Sequence, residues 1–270
     1  MRVGGIIPAR YHSTRLDGKV LADIAGKPMV QWVYERACSA RALSEVTVAT
    51  DDERVAEAVA GFGGNVRMTR ADHKSGTDRI AEVAREAGYD VIVNIQGDEP
   101  MIEPAAIDAA AEPFFSGEAE RFGTIATPIT DIREHLEPST VKVVVDRSGH
   151  ALYFSRAPLP YFRLDASGDD WPADKPRQHP ESGVWPLKHI GLYVYTRETL
   201  LWYAALDPTP LEQTEKLEQL RALENGCPIR VVQVDYSPIG VDTPEDLERV
   251  RRIFAGAGDG PPREPGRLTE

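Results

Sequence analysis

The segment 8–19 concentrates three permanent cations, Arg10, Arg15 and Lys19, directly after an apolar run. Guanidinium forks and a lysine ammonium suit the oxygens of a triphosphate, and they can neutralise the charge of a departing pyrophosphate. A solvated basic loop has the same composition, and position alone does not separate the two interpretations. The segment lacks the GxxxxGK[ST] order of a P-loop. It also lacks the GxGxxG pattern expected after the first strand of a dinucleotide site.

A pair of carboxylates, Asp98 and Glu99, follows the apolar run 91–95. Mg²⁺ prefers one or two carboxylates together with substrate phosphates, so this position favours a metal site over an acidic turn. Asp98 is the better ligand, and Glu99 is interpreted as a neighbouring or turn residue. Asp242 stands before Thr243, and the residues alone favour an acid that stabilises a helix start.

The second half of the chain holds further polar residues that could bind a ligand, namely Arg156, His189, Glu215, Glu218 and Gln219. The last three stand at i, i+3 and i+4, a spacing that places side chains on one helix face. Without other information, a solvated helix face and ordinary structural roles are the default interpretation of the whole set.

Apolar runs that alternate with amphipathic segments indicate the elements that must position these residues. The pattern predicts strands at 3–7, 46–50, 66–68 and 91–95, with helices between them. Such an order favours a parallel sheet with crossover helices, which is an α/β fold. Ligands of these sheets bind beyond the carboxyl ends of the strands. The polar segments 8–19, 69–76 and 96–100 fall there, and Ser75 with Asp78 predicts a capping box.

The second half predicts a different arrangement. A hairpin is expected over 141–154, a long proline-rich loop over 163–186, and a strand over 187–195. A helix is expected over 211–224, a strand over 229–234, and a last helix opening at Thr243 with Pro244. We therefore expect one domain over 1–255, with an inserted lobe at about 128–195, and a disordered Gly/Pro-rich tail over 256–270.

Composition excludes several classes of protein. The formal net charge of -12 argues against a nucleic-acid coat and an anionic membrane surface. Cys38 and Cys227 have no metal-ligand spacing and are expected to be free thiols. No apolar stretch reaches membrane-spanning length, so we expect a soluble, cytoplasmic protein.

Several ordered motifs resemble those of the CMP-Kdo synthetases, the 3-deoxy-manno-octulosonate cytidylyltransferases. They cover nearly the whole chain up to the last helix, and their number makes the resemblance specific. The matching blocks are Ile6–Arg10, Ser13–Leu16, Gly26–Met29, Arg70–Thr77, Asn94–Pro100, Ala151–Arg156, His189–Gly191, Leu217–Arg221 and Gly240–Leu247.

This resemblance implies a Rossmann-like nucleotide-diphospho-sugar transferase fold, a mainly parallel central sheet and a smaller lobe for dimerisation and sugar binding. It implies a homodimer that joins CMP from CTP to Kdo, an acidic keto-sugar, with Mg²⁺ as cofactor, for lipopolysaccharide or capsule synthesis. The residues that match nucleotide-binding positions are Ala9, Arg10, Arg15, Lys19, Arg70, Ser75 and Gln96. The match assigns Asp98 and Asp242 to the metal, and catalysis to Arg10, Arg15, Lys19 and Asp98. The positions at or near the sugar are Arg156, His189, Tyr193, Glu218 and Gln219.

Two departures from the family pattern bear on these assignments. Asp17 stands where the family usually has proline, which puts an anion inside the phosphate loop. The loop 163–186 is longer and richer in proline than expected, and it precedes a sugar-binding strand. The alternatives are therefore CMP transfer to a related acid, such as 8-amino-Kdo or a sialic acid, and a catalytically silent nucleotide- or sugar-binding protein.

Overall fold

The computed structural model describes residues 1–13, 16–116, 120–161, 186–236 and 239–256. The strands within these ranges are β1 Val3–Pro8, β2 Asp23–Ile24, β3 Lys27–Pro28, β4 Glu45–Thr50, β5 Val66–Met68, β6 Val91–Asn94, β7 Phe122–Pro128, β8 Lys142–Val145, β9 Ala151–Ser155, β10 Leu187–Thr196 and β11 Arg230–Gln233. The α-helices are α1 Met29–Cys38, α2 Glu53–Gly61, α3 Gly76–Glu86, α4 Pro104–Ala111, α5 Ile132–Leu136, α6 Arg197–Ala204, α7 Pro210–Glu215, α8 Leu220–Glu224 and α9 Pro244–Phe254.

The main sheet runs in the order β11-β7-β10-β6-β1-β4-β5, with the β8–β9 hairpin attached to β10. β1 pairs in parallel with both β4 and β6, and β4 pairs in parallel with β5. β10 runs antiparallel between β6 and β7. The α/β fold with a mostly parallel sheet is thereby confirmed. The parallel pairing brings the carboxyl ends of β1, β4, β5 and β6 to one edge.

Helices cover both faces of the sheet, which explains the continuous apolar strands. One cluster packs residues of α1, α2 and α4 against the sheet, and a second packs residues of α3, α6 and α8. All four residues of β6 are buried, as expected for a strand covered on both faces. Each fully buried Val or Ile side chain contributes about 1.5–3 kcal/mol to folding. The two apolar layers therefore fix the sheet that carries the polar loops.

Capping residues begin two helices where the sequence predicts them. The Ser75 side chain accepts a hydrogen bond from Asp78 N, and the Asp78 carboxylate accepts one from Ser75 N. Thr243 and Asp246 form the same reciprocal pair before α9, with Pro244 in its first turn. Both predicted helix starts are confirmed, because each depends only on contacts within four residues.

The predicted helix over 211–224 is wrong, because the chain turns in its middle. α7 ends at Glu215, and Lys216 adopts a left-handed conformation with φ 56°. α8 then begins at Leu220. The turn directs Leu217 and Gln219 into the interior, where they are 6% and 3% exposed. Glu215, Glu218 and Gln219 consequently do not share a helix face.

Two predicted segments fall largely outside the described residues. The long loop predicted over 163–186 lies there except for Pro186, and so does the tail beyond Gly256. The hairpin prediction is confirmed, since β8 and β9 pair antiparallel. Over the described ranges, no helix has both the length and the apolar character needed to cross a membrane.

Candidate active site

A cavity of about 690 Å³ opens at the edge where β1 and β6 end. The segment after β6 forms one wall with Gln96, Asp98 and Glu99, and β10 forms another with residues 188–193. The turn before β8 and the turn between α7 and α8 complete it. The topology therefore brings remote polar segments to a single place, as the strand order predicts.

Lys19 joins the two predicted metal-binding carboxylates. Its Nζ donates to Asp98 Oδ2 at 2.8 Å and to Asp242 Oδ1 at 3.2 Å. The lysine side chain is 12% exposed, whereas those of Asp98 and Asp242 are 32% and 50% exposed. Burial by itself would lower the pKa of Lys19, but the charges and hydrogen bonds of Asp98 and Asp242 outweigh it and raise the pKa. The ammonium is therefore firmly charged, and it holds together two acids that are 144 positions apart in the sequence.

Backbone contacts place these acids close to each other. Val241 N donates to Asp98 O at 2.9 Å, which ties the segment before α9 to the segment after β6. A side chain at Gly97 would bring its Cβ to 3.0 Å from Pro8 O, a tight contact, so glycine favours this approach to β1. The position of Asp242 is thus set by tertiary contacts as well as by the helix start that follows it.

The pair Asp98 and Asp242 fits a magnesium ion. Both carboxylates lie within 3.2 Å of one cation, which shows that this spot already carries concentrated negative charge. Across the described ranges, no group of three or more His, Cys, Asp or Glu residues is arranged to hold a metal. Two carboxylates that open onto a cavity match the preference of Mg²⁺ for few protein ligands completed by phosphates and water.

The phosphate loop is only partly described. Arg10 is half-buried after β1, and Ala9 is buried with its N–H bonded to Ala49 O. Arg15 lies outside the described residues. The unusual Asp17 forms a 3.0 Å contact with His12 Nδ1 and is largely exposed. In this arrangement its carboxylate is paired with His12 rather than with Lys19.

The structure places the other three predicted nucleotide-binding residues, Arg70, Ser75 and Gln96, in unequal positions relative to the cavity. Gln96 lines the cavity, and its Nε2 donates to Asn94 Oδ1 at 3.1 Å. Ser75 caps α3, whose first residues Gly76 and Thr77 also line the cavity. The Arg70 guanidinium is exposed and bonds to Asp72. The structure brings Gln96 and the start of α3 together, but it places the Arg70 side chain on the surface.

The imidazole of His189 is buried in the wall formed by β10. Burial lowers the pKa of His189 to about 3, so the ring is neutral near pH 7. His189 Nε2 lies 3.0 Å from the Thr124 hydroxyl, which also lies 2.8 Å from Leu192 O. If the Thr124 hydroxyl donates to Leu192 O, its oxygen is left to accept from the N–H at His189 Nε2. Nδ1 of the ring is then unprotonated and can accept a hydrogen bond.

Glu218 and Gln219 offer an acceptor and a donor side by side. Tyr193 OH donates to Gln219 Oε1 at 3.2 Å, and Thr77 Oγ1 donates to Glu218 Oε2 at 2.8 Å. Glu218 Oε1 and Gln219 Nε2 are buried and have no hydrogen-bond partner among the described residues, although Arg221 Nη2 lies 3.6 Å from Glu218 Oε1. Burial raises the pKa of Glu218. Because buried polar atoms are normally hydrogen-bonded, this pair points to a polar ligand.

Arg156 lies beside the cavity rather than in its lining. Its Nε donates to Glu215 O at 2.8 Å, and its Nη1 donates to Pro138 O at 3.1 Å. Glu215 accepts from Ser155 Oγ and from Arg156 N, so it belongs to the end of the hairpin. Two of the five guanidinium N–H groups are thus engaged with backbone carbonyls.

Sequence reasoning missed several residues of this cavity. Thr140, Lys188 and Lys216 all line it. The only available signal for Lys188 was its position before His189, and nothing local marked Lys216 as a turn residue. Glu99 lines the cavity, and burial followed by the charge of Asp98 raises its pKa to about 8. A carboxyl with this pKa is mostly protonated near pH 7.

Known proteins with related sequences and a related fold are cytidylyltransferases. A family model described as cytidylyltransferase matches residues 5–233. The 3-deoxy-manno-octulosonate cytidylyltransferase of Geobacter sulfurreducens is 57% identical over 250 residues, which cover 93% of this chain and 98% of that protein. The enzyme of the same name from Solibacter usitatus is 55% identical over 253 residues, covering 94% of each. A solved structure of CMP:2-keto-3-deoxy-manno-octonic acid synthetase complexed with CTP has a TM-score of 0.84 at 44% identity, over 95% of this chain and 99% of that one.

Proposed function

The chain belongs to the cytidylyltransferase family that includes the 3-deoxy-manno-octulosonate cytidylyltransferases, and on this premise we propose that it transfers CMP from CTP to 3-deoxy-manno-octulosonate (Kdo). Pyrophosphate is the second product. The observation that carries the proposal is the convergence of Lys19, Asp98 and Asp242 at a cavity that also contains neutral polar groups. A charged end suits a triphosphate, and a neutral polar wall suits a polyhydroxy acceptor.

The reaction is an in-line displacement at the α-phosphorus of CTP. The C2 hydroxyl oxygen of the sugar forms a bond to phosphorus and loses its proton, while the bond from phosphorus to the bridging oxygen of pyrophosphate breaks. No covalent enzyme intermediate is required. The protein therefore contributes mainly by holding the two substrates in line and by stabilising negative charge.

Cations at the carboxyl end of β1 neutralise the departing pyrophosphate. Lys19 and Arg10 fill this role in the described chain, and Arg15 is assigned to it by its family position. Asp98 and Asp242 would hold Mg²⁺, which supplies charge stabilisation to the phosphoryl oxygens when bound. The Lys19 ammonium lies between these carboxylates, and a lysine ammonium on its flexible stem is a point charge that suits a phosphate oxygen.

The acceptor binds along β10. The unprotonated Nδ1 assigned to His189 accepts a hydrogen bond from a sugar hydroxyl. Gln219 Nε2 supplies a hydrogen-bond donor, and Glu218 Oε1 supplies an acceptor, for other sugar hydroxyls. The burial of these two atoms without hydrogen-bond partners in the described part supports this assignment. Arg156 has N–H groups beyond those bonded to the backbone, and we assign them to the carboxylate of the acceptor.

Pyrophosphate release tests this function directly. Purified protein with Mg²⁺ is assayed with CTP, UTP, ATP or GTP against Kdo, 8-amino-Kdo, a sialic acid and no acceptor. We expect Kdo with CTP to have the highest kcat/KM, by at least about tenfold over the purine nucleotides, because unpaired buried polar groups penalise the wrong base. Release with no combination would indicate a silent binding protein. A sialic acid as best acceptor would replace Kdo, and equal turnover with ATP would contradict recognition of cytosine.

We also propose that the protein is a homodimer formed through the β8–β9 hairpin. Leu152 on β9 is 63% exposed, and Leu136 nearby in sequence is 55% exposed. Within the described residues β9 pairs as a strand only with β8, while Ala151 N at its start donates to Ile229 O. Exposed apolar side chains on such a hairpin are typical of a protein interface. Light scattering should give twice the chain mass of 29.8 kDa, and a monomer at micromolar concentration would contradict this assignment.

The proposed product, a nucleotide-activated acidic sugar, places the enzyme in lipopolysaccharide or capsule synthesis in the cytoplasm. Its substrate CTP is a cytoplasmic metabolite, which supports that location. Fractionation of cells that express the natural protein tests it, since recovery with the membrane or periplasmic fraction would contradict it.

A further inference from the structure

Lys142, the first residue of β8, is a completely buried lysine. Its Nζ donates to Glu137 O at 2.9 Å, to Thr140 O at 2.6 Å and to Arg156 O at 2.7 Å. An ammonium has three N–H groups, and each of them here faces one backbone carbonyl. Among the described residues, no carboxylate forms an ion pair with Lys142. The buried ammonium of Lys142 thus donates its hydrogen bonds to backbone carbonyls, which is unusual for a buried charged group.

The carbonyls held by Lys142 belong to the turn between α5 and β8. This turn, residues 137–141, also has Pro138 O bonded to Arg156 Nη1 and Val141 O bonded to His189 N. Two cations and one strand therefore bind the carbonyls of four of the five residues of the turn. Ser139, Thr140 and Val141 of the same turn line the active-site cavity. The turn thus contacts the lysine and also lines the cavity.

The position of the turn favours the acceptor over the nucleotide. Lys19, Asp98 and Asp242 mark the end of the cavity where the triphosphate charge belongs. The turn is bonded to β10, whose neutral His189 lines the same wall. Hydroxyl groups next to a neutral imidazole suit the hydroxyl groups of a sugar better than a phosphate chain.

We propose that Lys142 is a positioning residue for the acceptor, because it holds the turn 137–141 so that Ser139 and Thr140 present their hydroxyls to the sugar. A methionine at this position has a similar length but no donors, and it would leave two carbonyls of the turn without their buried partner. An arginine has a planar fork that cannot point at three convergent carbonyls from one nitrogen. This inference rests on the proposed function, since it concerns the acceptor of that reaction.

The test compares Lys142→Met with Arg197→Met. Arg197 also donates to backbone carbonyls, Ala84 O and Arg85 O, but it lies at the opposite edge of the sheet. Each variant is measured for KM of the acceptor, KM of CTP, kcat and melting temperature. We expect Lys142→Met to raise the acceptor KM at least tenfold with the KM of CTP changed less than twofold. Arg197→Met should lower the melting temperature without changing either KM. Equal shifts of both KM values in Lys142→Met, or no shift, would overturn the proposal.

Two further measurements cover other outcomes. Thr140→Val keeps the shape of the side chain and removes its hydroxyl from the cavity wall. If Lys142→Met does not fold, this variant decides, and an unchanged acceptor KM would overturn the proposal.

Hydrogen exchange of the amides of residues 139–141 does not depend on turnover. It should be faster in Lys142→Met and unchanged in Arg197→Met, and protected amides in Lys142→Met would contradict the positioning role. If the unaltered protein uses no acceptor, the proposed function fails, and hydrogen exchange still tests the role of the lysine.

Discussion

Asparagine at Asp98 or at Asp242 should lower kcat/KM by at least about a hundredfold, with the fold intact, because losing one charged group of a preorganised site has an effect of this size. Each change keeps the shape of the side chain and removes one of the two anions that meet at Lys19. A single remaining carboxylate holds Mg²⁺ poorly, so added Mg²⁺ should restore little activity. Steady-state kinetics over a Mg²⁺ series, with circular dichroism and melting temperature, measures both parts of this expectation.

Glu99→Gln is the matched control for these variants. Glu99 adjoins Asp98, but burial raises its pKa to about 8, so its carboxyl is already mostly neutral at pH 7. Glutamine resembles that neutral form, and we expect less than about a fivefold change, since little charge is removed. Near-normal activity of Asp242→Asn at low Mg²⁺ would assign Asp242 to the helix start alone. A loss in Glu99→Gln as large as that in Asp98→Asn would show that Glu99 acts as a charged group.

Alanine at Asp51 should lower the free energy of unfolding by about 3–5 kcal/mol, the usual cost of leaving a buried charge without its partner. Arg79 Nη2 lies 2.9 Å from Asp51 Oδ2; the Arg79 side chain is 0% exposed, and that of Asp51 is 21% exposed. The guanidinium cannot reach water when its partner is removed. Arg79→Met should cost less, because the carboxylate that it leaves is partly hydrated. Urea denaturation of the two variants measures the difference.

The double variant Asp51→Ala with Arg79→Met separates charge burial from packing. It should be more stable than Asp51→Ala alone, since no buried charge is left. Arg41→Ala is the control for an exposed ion pair: Arg41 Nε lies 3.3 Å from Asp108, and the Arg41 side chain is 92% exposed. Its effect should fall within the error of the measurement. Equal costs for Asp51→Ala and Arg79→Met would contradict the asymmetry expected from burial.

The ion pair of Arg79 also bears on the active site. Asp51 follows β4, and Thr69 follows β5. Arg79 of α3 forms an ion pair with Asp51 and donates a hydrogen bond to the Thr69 hydroxyl. The first residues of α3, Gly76 and Thr77, line the cavity. The pair therefore connects the ends of two strands to the helix start that lines the cavity.

The proposed metal site shows where sequence reasoning reaches its limit. The residues around Asp98 indicate a metal ligand because a carboxylate follows a buried strand. The residues around Asp242 favour a helix-start acid, and only the family resemblance points to the metal. In the structure α9 begins after Asp242, and Lys19 also donates a hydrogen bond to it. One acid can thus precede a helix and also bind a lysine from a distant segment, and the neighbouring sequence indicates only the helix start.

Arg156 and Glu218 illustrate the same limit for the acceptor side. Their spacing in the sequence carried no signal beyond a hairpin end and a helix face. The structure places the Arg156 guanidinium on two backbone carbonyls, and it brings the partly exposed Glu218 into a hydrogen bond with Thr77. The left-handed conformation of Lys216 lets the chain turn between two short helices, and no glycine marks this turn in the sequence.

The sequence by itself determined the features that depend on neighbours a few residues apart. These are the apolar strands, the capping boxes at Ser75 and Thr243, and the order of elements that gives an α/β sheet. The tertiary structure decided which remote groups meet: Lys19 with Asp98 and Asp242, and Lys142 with the carbonyls of its turn. The physical reason is that hydrophobic period and capping are short-range properties of the chain. Side chains from distant segments come into contact only after burial of the two apolar layers has fixed the sheet.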